Sequence, residues 1–395
     1  MNSKILVINA GSSSIKLQLF EKKSMSVIAS GLAERITLED GIITIKANGQ
    51  KYVKNVTMPD HEVAAQNILS LLSESKIIED VKEIEIIGFR VVHGGTYFTK
   101  STAIDDGVIA AIEKCSDYAP LHNPGALQAI HAFRKVMPHA KLSAEFDTAF
   151  HTTIPDVNAI YPIPYEWSEK FGIRRFGFHG ISHQFITETM QKILGKSSIN
   201  IVNAHIGNGA SICAIKDSKS FDTTMGLTPL AGVMMGTRSG DIDPALIEFL
   251  SEHLNKDAKE ITQALNKKSG LLGVSGVSSD MRDIEQAVSE GNKRAIFAEE
   301  LYVQKIVDYI ANYANKIESV DAIVFTAGVG ENSATLRQAV VDKLHFANIK
   351  LDQQANTGKI GEYALISTPD SAVKVYVVRT NEELLIAQNA LKIFN

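Results

Sequence analysis

The sequence predicts a mixed α/β protein with two domains of related design. Its 395 residues are too many for one typical hydrophobic core, so two domains are expected. Segments with strand and helix periodicity alternate along most of the chain, which favours helices packed on sheets over an all-helical or all-strand fold. Residues 5–19 and 201–215 share one pattern, in which a Gly/Ser turn joins two apolar strands.

These matching hairpins indicate an internal duplication. A turn of glycine and serine leaves backbone N–H groups pointing outward, and its small side chains let an anion approach them. One such hairpin is weak evidence, because Gly-rich hairpins are common in ordinary sheets. Two matching hairpins predict a duplicated domain that binds a polyphosphate between its halves, which suggests a nucleotide.

The composition argues against several classes of partner. The formal net charge is −5 and no long run of lysine and arginine occurs, so nucleic acid is not expected as a partner. No apolar stretch reaches the roughly 20 residues that a membrane helix needs, and the N-terminus enters a strand without the pattern of a signal peptide. Cys115 and Cys213 are isolated, so a cytoplasmic protein without disulfides is expected.

The predicted elements of the first half follow from apolar periodicity. In the opening hairpin, Ile15, Leu17 and Leu19 share one face of a strand, and Lys16 lies on the other face. The other predicted elements are strands at 27–33, 42–45, 84–92 and 142–146 and helices at 61–73 and 123–136.

The irregular segment 152–175, which contains three prolines and Trp167, marks the predicted change of domain. The predicted elements beyond it are strands at 199–203, 211–215, 322–326 and 373–379, helices at 243–254, 257–267 and 292–317, and a helix through Leu336 and Val340. Thr380 and Glu383 form a capping-box pattern that predicts the start of the last helix.

Three glycine-bearing loops are predicted to follow strands, at 9–14, 205–211 and 327–333. None has the spacing of the P-loop or of the dinucleotide-binding GxGxxG fingerprint. Each loop by itself is best interpreted as an ordinary turn. Together they favour phosphates on the first two loops and a nucleoside near the third.

Lys16, Asn9 and Glu382 are candidates for phosphate and metal binding. Lys16 could reach a phosphate from just beyond the first loop, although a solvated lysine is the ordinary alternative. The side-chain oxygen of Asn9 is a ligand type that Mg²⁺ prefers. Glu382 could reach the same ion from the first turn of the last helix, although carboxylates are common there because they stabilise the helix dipole.

Two arginines next to glycine loops are candidates for binding anions. Arg90 ends an apolar strand and precedes His93 and two glycines, and Arg238 lies in a polar glycine loop. Guanidinium groups suit bidentate contact with carboxylate and phosphoryl oxygens. A surface ion pair is the alternative interpretation for either arginine alone.

His179 and His183 have the spacing of a helical zinc site, but Gly180 occupies the position of the expected glutamate. Ser182 is predicted to be the N-cap of the following helix. A zinc site is therefore disfavoured. His179 could instead donate a hydrogen bond to a phosphoryl group in transfer, which depends mainly on positioning and charge stabilisation.

Several motifs, taken in order along the whole chain, resemble those of the acetokinase (acetate kinase) family. They are Asn-Ala-Gly-Ser-Ser-Ser at 9–14, Arg-Val-Val-His-Gly-Gly at 90–95, Phe-Asp-Thr-Ala-Phe-His at 146–151, Gly-Phe-His-Gly at 177–180, His-Ile-Gly-Asn-Gly-Ala-Ser at 205–211, Met-Gly-Thr-Arg-Ser-Gly-Asp-Ile-Asp-Pro at 235–244, Thr-Ala-Gly-Val-Gly-Glu-Asn-Ser at 326–333 and Thr-Asn-Glu-Glu-Leu at 380–384.

The resemblance implies two duplicated ribonuclease H-like (actin-like ATPase) domains with a nucleotide cleft between them, in a homodimer. The implied N-terminal domain comprises residues 1–148 and 382–395, and the implied C-terminal domain, 149–381, carries most nucleotide contacts.

The resemblance also implies roles for individual residues. It assigns ATP contacts to Ser12, Lys16, His205, Ile206, Gly207, Asn208, Gly209, Asp280, Met281, Arg282, Gly328, Val329, Gly330, Glu331 and Asn332. It assigns Mg²⁺, with Mn²⁺ as an alternative ion, to Asn9 and Glu382, and catalysis to Asp147, His179 and Arg238. It assigns substrate to Arg90 and an apolar wall for the acyl group to Val92, Leu121, Phe178 and Pro229. Phe89 and Gly125 depart from the family pattern, and neither is expected to touch a site residue.

The implied activity is reversible transfer of the ATP γ-phosphoryl group to acetate, giving acetyl phosphate and ADP. Acetate has a pKa of roughly 4–5 and is already an anion at neutral pH, so no general base is needed. We therefore expect Asp147 to orient an arginine or metal-bound water. A propionate or other short-chain acyl kinase is the alternative, disfavoured by the size of Val92. A binding ATPase like Hsp70 or actin is disfavoured by Arg90, His179 and Arg238.

Overall fold

The computed structural model describes residues 3–120 and 122–395, which form two compact units. The first unit comprises Met1–Thr152 and Asn381–Asn395, and the second comprises Thr153–Thr380. Each unit contains a β-sheet with helices, so the prediction of a mixed α/β protein with two domains is confirmed. In the described part of the chain, no helix has both the length and the apolar character that crossing a membrane requires.

The first unit is built on a mixed sheet. Its strands are β1 (Lys4–Ala10), β2 (Ser14–Glu21), β3 (Val27–Glu34), β4 (Ile42–Ala47), β5 (Gln50–Asn55), β6 (Ile84–Val91), β7 (Thr102–Ala103) and β8 (Lys141–Phe146). Its first helices are α1 (His61–Glu74), α2 (Asp106–Lys114) and α3 (Asn123–Val136), with 3₁₀ turns at Val81–Glu83 and Cys115–Asp117. The strand order is β5-β4-β3-β2-β1-β6-β8-β7.

Parallel pairing brings three strand ends of the first unit to one edge of its sheet. β6 runs parallel to both β1 and β8. Phe89 pairs with Ile8 and Arg90 pairs with Glu145, so the residues that end or follow these strands are neighbours. The carboxyl edge of a parallel sheet is where open α/β folds place their ligands.

The core of the first unit follows the predicted periodicity. In β2, Ile15, Leu17 and Leu19 are at most 1% exposed, whereas Lys16 is exposed. The apolar stripe of α1 packs into the same core, and its members Ala64, Ile68 and Leu72 are fully buried. The alternation expected for a strand with one buried face is therefore confirmed.

The second unit repeats this plan with a second sheet. Its strands are β9 (Ile201–Ile206), β10 (Ala210–Lys216), β11 (Lys219–Thr223), β12 (Ala322–Thr326), β13 (Tyr363–Leu365) and β14 (Lys374–Val378), in the order β11-β10-β9-β12-β14-β13. Its helices are α4 (Asp156–Ala159), α5 (Tyr165–Phe171), α6 (Gly180–Leu194), α7 (Ala245–Leu254), α8 (Ala258–Lys267), α9 (Gly270–Ser275), α10 (Met281–Ser289), α11 (Lys293–Lys316), α12 (Ala327–Asn332), α13 (Ala334–Asp342) and α14 (Gln353–Thr357). The last helix, α15 (Glu382–Phe394), belongs to the first unit.

The two hairpins identified from the sequence are equivalent elements of the two sheets. β1 and β2 pair antiparallel, and β1 also pairs parallel with β6. β9 and β10 pair antiparallel, and β9 also pairs parallel with β12. Each glycine turn therefore follows a central strand at the carboxyl edge of its sheet, which confirms the predicted repeat.

Some local predictions are wrong. Ser182 does not cap α6, because the helix starts at Gly180 and the residue before it, His179, is the N-cap. Thr380 does not cap α15, since the side chain of Asn381 accepts from the backbone N–H of Leu384 instead. The third predicted loop, 327–333, is mostly the short helix α12.

Candidate active site

Arg90, Asp147 and Glu382 come together in the first unit. Arg90 is the penultimate residue of β6, Asp147 directly follows β8, and Glu382 begins α15. α15 packs against β1, β6 and β8, which places its N-terminus beside the carboxyl ends of these strands. Residues far apart in sequence thus form one polar cluster on a rigid sheet edge.

Arg90 and Asp147 form a bidentate ion pair. Nε of Arg90 donates to Oδ1 of Asp147 at 3.0 Å, and Nη2 donates to Oδ2 at 2.6 Å. The side chain of Asp147 is only 2% exposed. Burial alone would lower the pKa of Arg90, but the neighbouring carboxylates of Asp147 and Glu382 outweigh this effect and raise it. Arg90 is therefore a permanent cation, and the interpretation as a surface ion pair is wrong.

The cluster as a whole carries an excess of carboxylate groups. Glu382 lies 3.9 Å from Arg90, and Lys16 pairs with Glu383. Burial raises the pKa of Glu382 to about 7, and the nearby Asp147 and Glu383 add to the rise while Arg90 opposes it. When all groups are ionised, the carboxylates of Asp147, Glu382 and Glu383 face only two cations, Arg90 and Lys16. The site is one positive charge short of neutrality.

The first glycine turn lies at the same edge of the sheet. The backbone N–H of Gly11 donates to the carbonyl of Ser14 at 2.8 Å, and Ser12 is exposed at the turn. Nε2 of His61, in α1, lies 2.8 Å from the carbonyl oxygen of Gly11. Asn9, half-buried near the end of β1, pairs with Lys16 across the hairpin. Asn9, Ser12 and Lys16, three of the predicted phosphate and metal residues, are thus neighbours along one hairpin.

The second unit contains a pocket of about 740 Å³. It is lined by the turn residues Gly207 and Asn208, by Ser279, Asp280, Met281, Arg282 and Glu285 around the start of α10, and by Gly328, Val329, Asn332 and Ser333 of α12 and the residue after it. This volume lies within the range of small-molecule sites, about 300–1,000 Å³. The walls come from three separated sequence segments, all of which were predicted to contact ATP.

The carboxylate of Asp280 organises one wall of this pocket. It caps α10 by accepting from the backbone N–H of Arg282 at 2.9 Å. It also forms two hydrogen bonds with the guanidinium of Arg282, at 3.0 and 2.6 Å. These bonds lower the pKa of Asp280 to about 2, so the carboxylate is ionised at neutral pH.

Other predicted ATP residues do not line the pocket. His205 and Ile206 are buried on β9, and Gly330 is buried in α12. Glu331 accepts from the backbone N–H groups of Ala327 at 2.9 Å and Thr380 at 3.1 Å. Its side chain therefore fixes the start of α12 within this unit.

His179 and Arg238 converge on the glycine of the second turn. A Cβ atom at Gly209 would lie 3.5 Å from Nη1 of Arg238 and 3.6 Å from Nε2 of His179. The backbone of His179 is left-handed, with φ of 55°, and its ring stacks on that of His205 at 4.2 Å. Nη1 of Arg238 donates to the carbonyl of Pro229 at 3.1 Å. A guanidinium and an imidazole thus lie beside a turn that also lines the pocket.

The proposed acyl wall is only partly described. Val92 follows β6 in the first unit and is half-buried. In the second unit Phe178 is 2% exposed and Pro229 is half-buried. Leu121 lies outside the described residues.

Comparison with known proteins decides the family. The model described as the acetokinase family matches residues 4–388. The chain belongs to the acetokinase family. The acetate kinase of Mycoplasmopsis pulmonis is 58% identical over 391 residues, covering 99% of each chain. The crystal structure of Porphyromonas gingivalis acetate kinase has a TM-score of 0.95 at 44% identity over 100% of both chains, and that of a propionate kinase from Francisella tularensis has a TM-score of 0.93 at 40% identity over 98% of both.

One departure from the acetokinase family pattern does lie against a predicted ATP residue, Ser12. A Cβ atom on Gly125, in α3, would lie 2.6 Å from the carbonyl carbon of Gly11 and 2.9 Å from the nitrogen of Ser12. The prediction that Gly125 stays away from the site is therefore wrong. Phe89, the other departure, is buried and packs against Phe133 with ring centroids 6.0 Å apart.

Some residues that build the site escaped the sequence argument. His61 supports the first turn from 50 positions away, and nothing in its sequence context marks it. Ser279 and Glu285 line the pocket on either side of the Asp280 motif. Ser211, which contacts both His179 and His183, ends the second glycine motif, so its position beside the turn was a usable signal.

Proposed function

We propose that this protein is an acetate kinase, which transfers the γ-phosphoryl group of ATP to acetate and forms acetyl phosphate and ADP reversibly. The observation that carries the proposal is the convergence of His179 and Arg238 on Gly209, next to a pocket of nucleotide size. A protein that only binds nucleotide needs the pocket and has no use for such added donors. The family membership supports the same activity.

In this proposal the second unit binds ATP and stabilises the transferring phosphoryl group. The pocket accepts the nucleotide, and the turn at Gly207 and Asn208 faces its phosphates. Arg238 and His179 then donate hydrogen bonds to the equatorial oxygens of the phosphoryl group, where charge builds up during transfer. Burial lowers the pKa of Arg238 without removing its charge at neutral pH.

The first unit supplies the groups for acetate. Arg90 uses Nε and Nη2 to hold Asp147, which leaves its Nη1 side for the carboxylate of acetate. Asp147 accepts with both oxygens, so its function is to orient Arg90. Acetate is already an anion and gives up no proton, which agrees with this assignment.

We propose Asn9 and Glu382 as the protein ligands of a Mg²⁺ ion. The missing positive charge and the raised pKa of Glu382 fit a divalent cation at this edge of the sheet. Among the described residues there is no group of three His, Cys, Asp or Glu side chains that could hold a metal. Mg²⁺ suits such a sparse site because it keeps several waters and binds substrate phosphates. When bound, the ion would neutralise phosphate charge.

Replacing Glu382 by glutamine tests the metal assignment. We expect Glu382→Gln to raise the Mg²⁺ concentration that gives half-maximal rate by at least about tenfold, because one charged ligand is lost. Glu318→Gln, which removes a surface carboxylate that pairs with Lys216, is the control and should leave the Mg²⁺ dependence close to that of the wild type. Equal Mg²⁺ dependence in all three proteins would exclude Glu382 as a ligand.

The choice of acyl group tests the function itself. With ATP, Mg²⁺ and hydroxylamine, acetate should give the hydroxamate with the highest kcat/KM, and each added methylene should lower kcat/KM about 10–200-fold because Val92 restricts the acyl group. A propionate kinase is the second candidate, supported by the similar Francisella tularensis structure. Equal or better use of propionate would establish that candidate, and ADP without hydroxamate would indicate a plain ATPase.

We also propose that the protein is a cytoplasmic homodimer. The second unit exposes large apolar side chains on α4 and α5 and on α7, which suit an interface between two copies. They include Val157 at 87%, Tyr165 at 67%, Phe171 at 54% and Phe249 at 54% exposure. Cys115 and Cys213 are buried free thiols, as expected in a reducing compartment. Sedimentation equilibrium should give twice the chain mass at micromolar concentration, whereas a single chain mass would refute the dimer.

A further inference from the structure

A buried serine hydroxyl lies between two histidine rings in the second unit. Oγ of Ser211 is 3.0 Å from Nδ1 of His179 and 2.8 Å from Nε2 of His183. Ser211 and His183 are both fully buried. A hydroxyl has one proton, so it can donate to only one of the two rings and must accept from the other.

Asn203 gives this hydrogen-bonded chain a direction. Nδ2 of Asn203, which is also fully buried, lies 2.8 Å from Nδ1 of His183. An amide nitrogen only donates, so Nδ1 of His183 accepts and the ring carries its proton on Nε2. His183 then donates to Ser211, and Ser211 donates to Nδ1 of His179.

We propose that Asn203, His183 and Ser211 are positioning residues that hold His179 in the tautomer with its proton on Nε2. The Cε1–Nε2 edge of the ring faces Gly209 beside Arg238, and Nε2 is the only nitrogen on that edge. Because the hydrogen bond at one ring nitrogen decides which tautomer an imidazole adopts, a chain of three buried residues presets the donor. The purpose assigned to that donor, contact with the phosphoryl group, rests on the proposed function.

Packing around His179 fixes the ring as well as its proton. The ring stacks on His205, whose Nδ1 lies 2.8 Å from Oγ of Ser182. His179 is the N-cap of α6, and its left-handed backbone conformation sets the direction in which its side chain leaves the chain. A preset donor needs no reorganisation when charge develops on the substrate, which is the condition for effective electrostatic stabilisation.

The direct test is ¹⁵N NMR of the histidine rings in the full-length protein, with long-range ¹H–¹⁵N correlations that report which nitrogen carries the proton. The proposal predicts a protonated Nε2 and an unprotonated Nδ1 for His179, and the same tautomer for His183. If the amide of Asn203 faced His183 with its oxygen, every bond in the chain would reverse. Protonated Nδ1 on His179 would therefore overturn the proposal.

A substitution connects the tautomer to turnover. Ser211→Ala should mix the tautomers of His179 and lower kcat about 10–100-fold, with the KM for ATP changed less than about twofold. Ser211→Thr retains the hydroxyl and should recover the single tautomer. Ser220→Ala, which changes another buried serine of the same sheet, is the matched control and should leave both readouts unchanged.

The outcomes separate this proposal from the proposed function. If the wild-type protein has the Nε2–H tautomer but forms no acetyl phosphate, the proposed function is refuted, and the proposed hydrogen bonds from Asn203 to His179 are still supported. Normal kcat in Ser211→Ala with a single unchanged His179 tautomer would refute the positioning role. If neither Ser211 variant folds, the wild-type spectrum alone decides.

Discussion

Arg90 and Asp147 meet through two parallel hydrogen bonds, with the side chain of Asp147 only 2% exposed and that of Arg90 20% exposed. Such a pair holds the guanidinium in one plane, and this fixes the direction of the donors that Asp147 does not use. Removing one partner of a buried pair is costly because it leaves the other charge uncompensated. The assignment of Asp147 as an orienting residue follows from this geometry.

The substitution Asp147→Asn examines that assignment. Asparagine offers one acceptor oxygen, and its NH₂ group would face an N–H of Arg90, so the guanidinium loses its fixed plane. We expect kcat/KM for acetate to fall by about 100-fold or more, with a pH–rate profile of the same shape as the wild type. Initial rates between pH 6 and 9 check this. Activity that recovers toward high pH would identify Asp147 as a base instead.

At the residue scale, candidate site residues could be named from the sequence, but most of their contacts could not. Arg90, Arg238 and His179 stood out because they lie next to glycine-bearing loops and have side chains that suit contact with anions. The ion pair between Arg90 and Asp147 spans 57 positions, so only the pairing of β6 with β8 could reveal it. Ser182 matched a local capping pattern, but its hydroxyl contacts His205 and Thr380 instead.

Among the secondary-structure elements, α3 packs directly on the first glycine turn, and Gly125 is the point of closest approach. A Cβ atom there would meet backbone atoms of Gly11 and Ser12 at 2.6–2.9 Å, and backbone cannot move aside as a flexible side chain can. Helix propensity alone would make alanine the better residue by about 1 kcal/mol. The clash opposes that preference and is the larger effect.

We therefore expect Gly125→Ala to lower the free energy of unfolding by about 1–3 kcal/mol and to raise the KM for ATP, because the turn at Ser12 must shift. Urea unfolding and steady-state kinetics measure the two effects. Gly361→Ala is the control, since a Cβ atom at Gly361 would meet nothing within 4 Å. A more stable Gly125→Ala protein would mean that propensity outweighs the contact.

Helix α12 depends on a buried arginine, Arg337. Among the described residues, no carboxylate forms an ion pair with it. Arg337, 1% exposed, donates to the carbonyls of Gly330 at 2.9 Å and Glu331 at 3.0 Å and to the carbonyl and side-chain oxygens of Asn356 at 2.6 and 2.8 Å. Burial lowers the pKa of Arg337 to about 10. The guanidinium thus ties one wall of the pocket to α14.

Arg337→Met should leave these acceptors without donors and lower the free energy of unfolding by about 3 kcal/mol. The KM for ATP should also rise, since Gly328 and Val329 are on the same short helix. Arg294→Met provides the comparison, because Arg294 donates to the carbonyls of Gly273 and Val274 at the surface, and its loss should cost less than about 1 kcal/mol. Equal losses for both variants would contradict the role of Arg337.

The same helix shows the limit of element prediction. Gly328 and Gly330 lower helix propensity, so the sequence favours a loop at this position. Tertiary contacts outweigh that preference: Glu331 accepts from the N–H of Ala327 at the start of α12, and Arg337 binds its last carbonyls. The edge strand β5 was missed for a different reason: none of its residues is buried, and its sequence does not alternate between apolar and polar side chains.

At the scale of the whole molecule, the repeated hairpin was the most reliable sequence signal. The alternation of β2 and the glycine turns predicted both central hairpins, and the structure adds the parallel neighbours β6 and β12. Strand order could not be predicted, because it depends on which distant segments pair. The repeat alone is compatible with a kinase, a chaperone or a filament protein. The family motifs were needed to choose the kinase.

The central claim, reversible phosphoryl transfer between ATP and acetate, is open to a single measurement. ³¹P NMR of the protein with ATP, Mg²⁺ and acetate should show the γ-phosphate signal replaced by acetyl phosphate, with one ADP for each acetyl phosphate formed. Starting from acetyl phosphate and ADP, the same spectrum should show ATP. Release of inorganic phosphate with ADP, and no acetyl phosphate in either direction, would contradict the account.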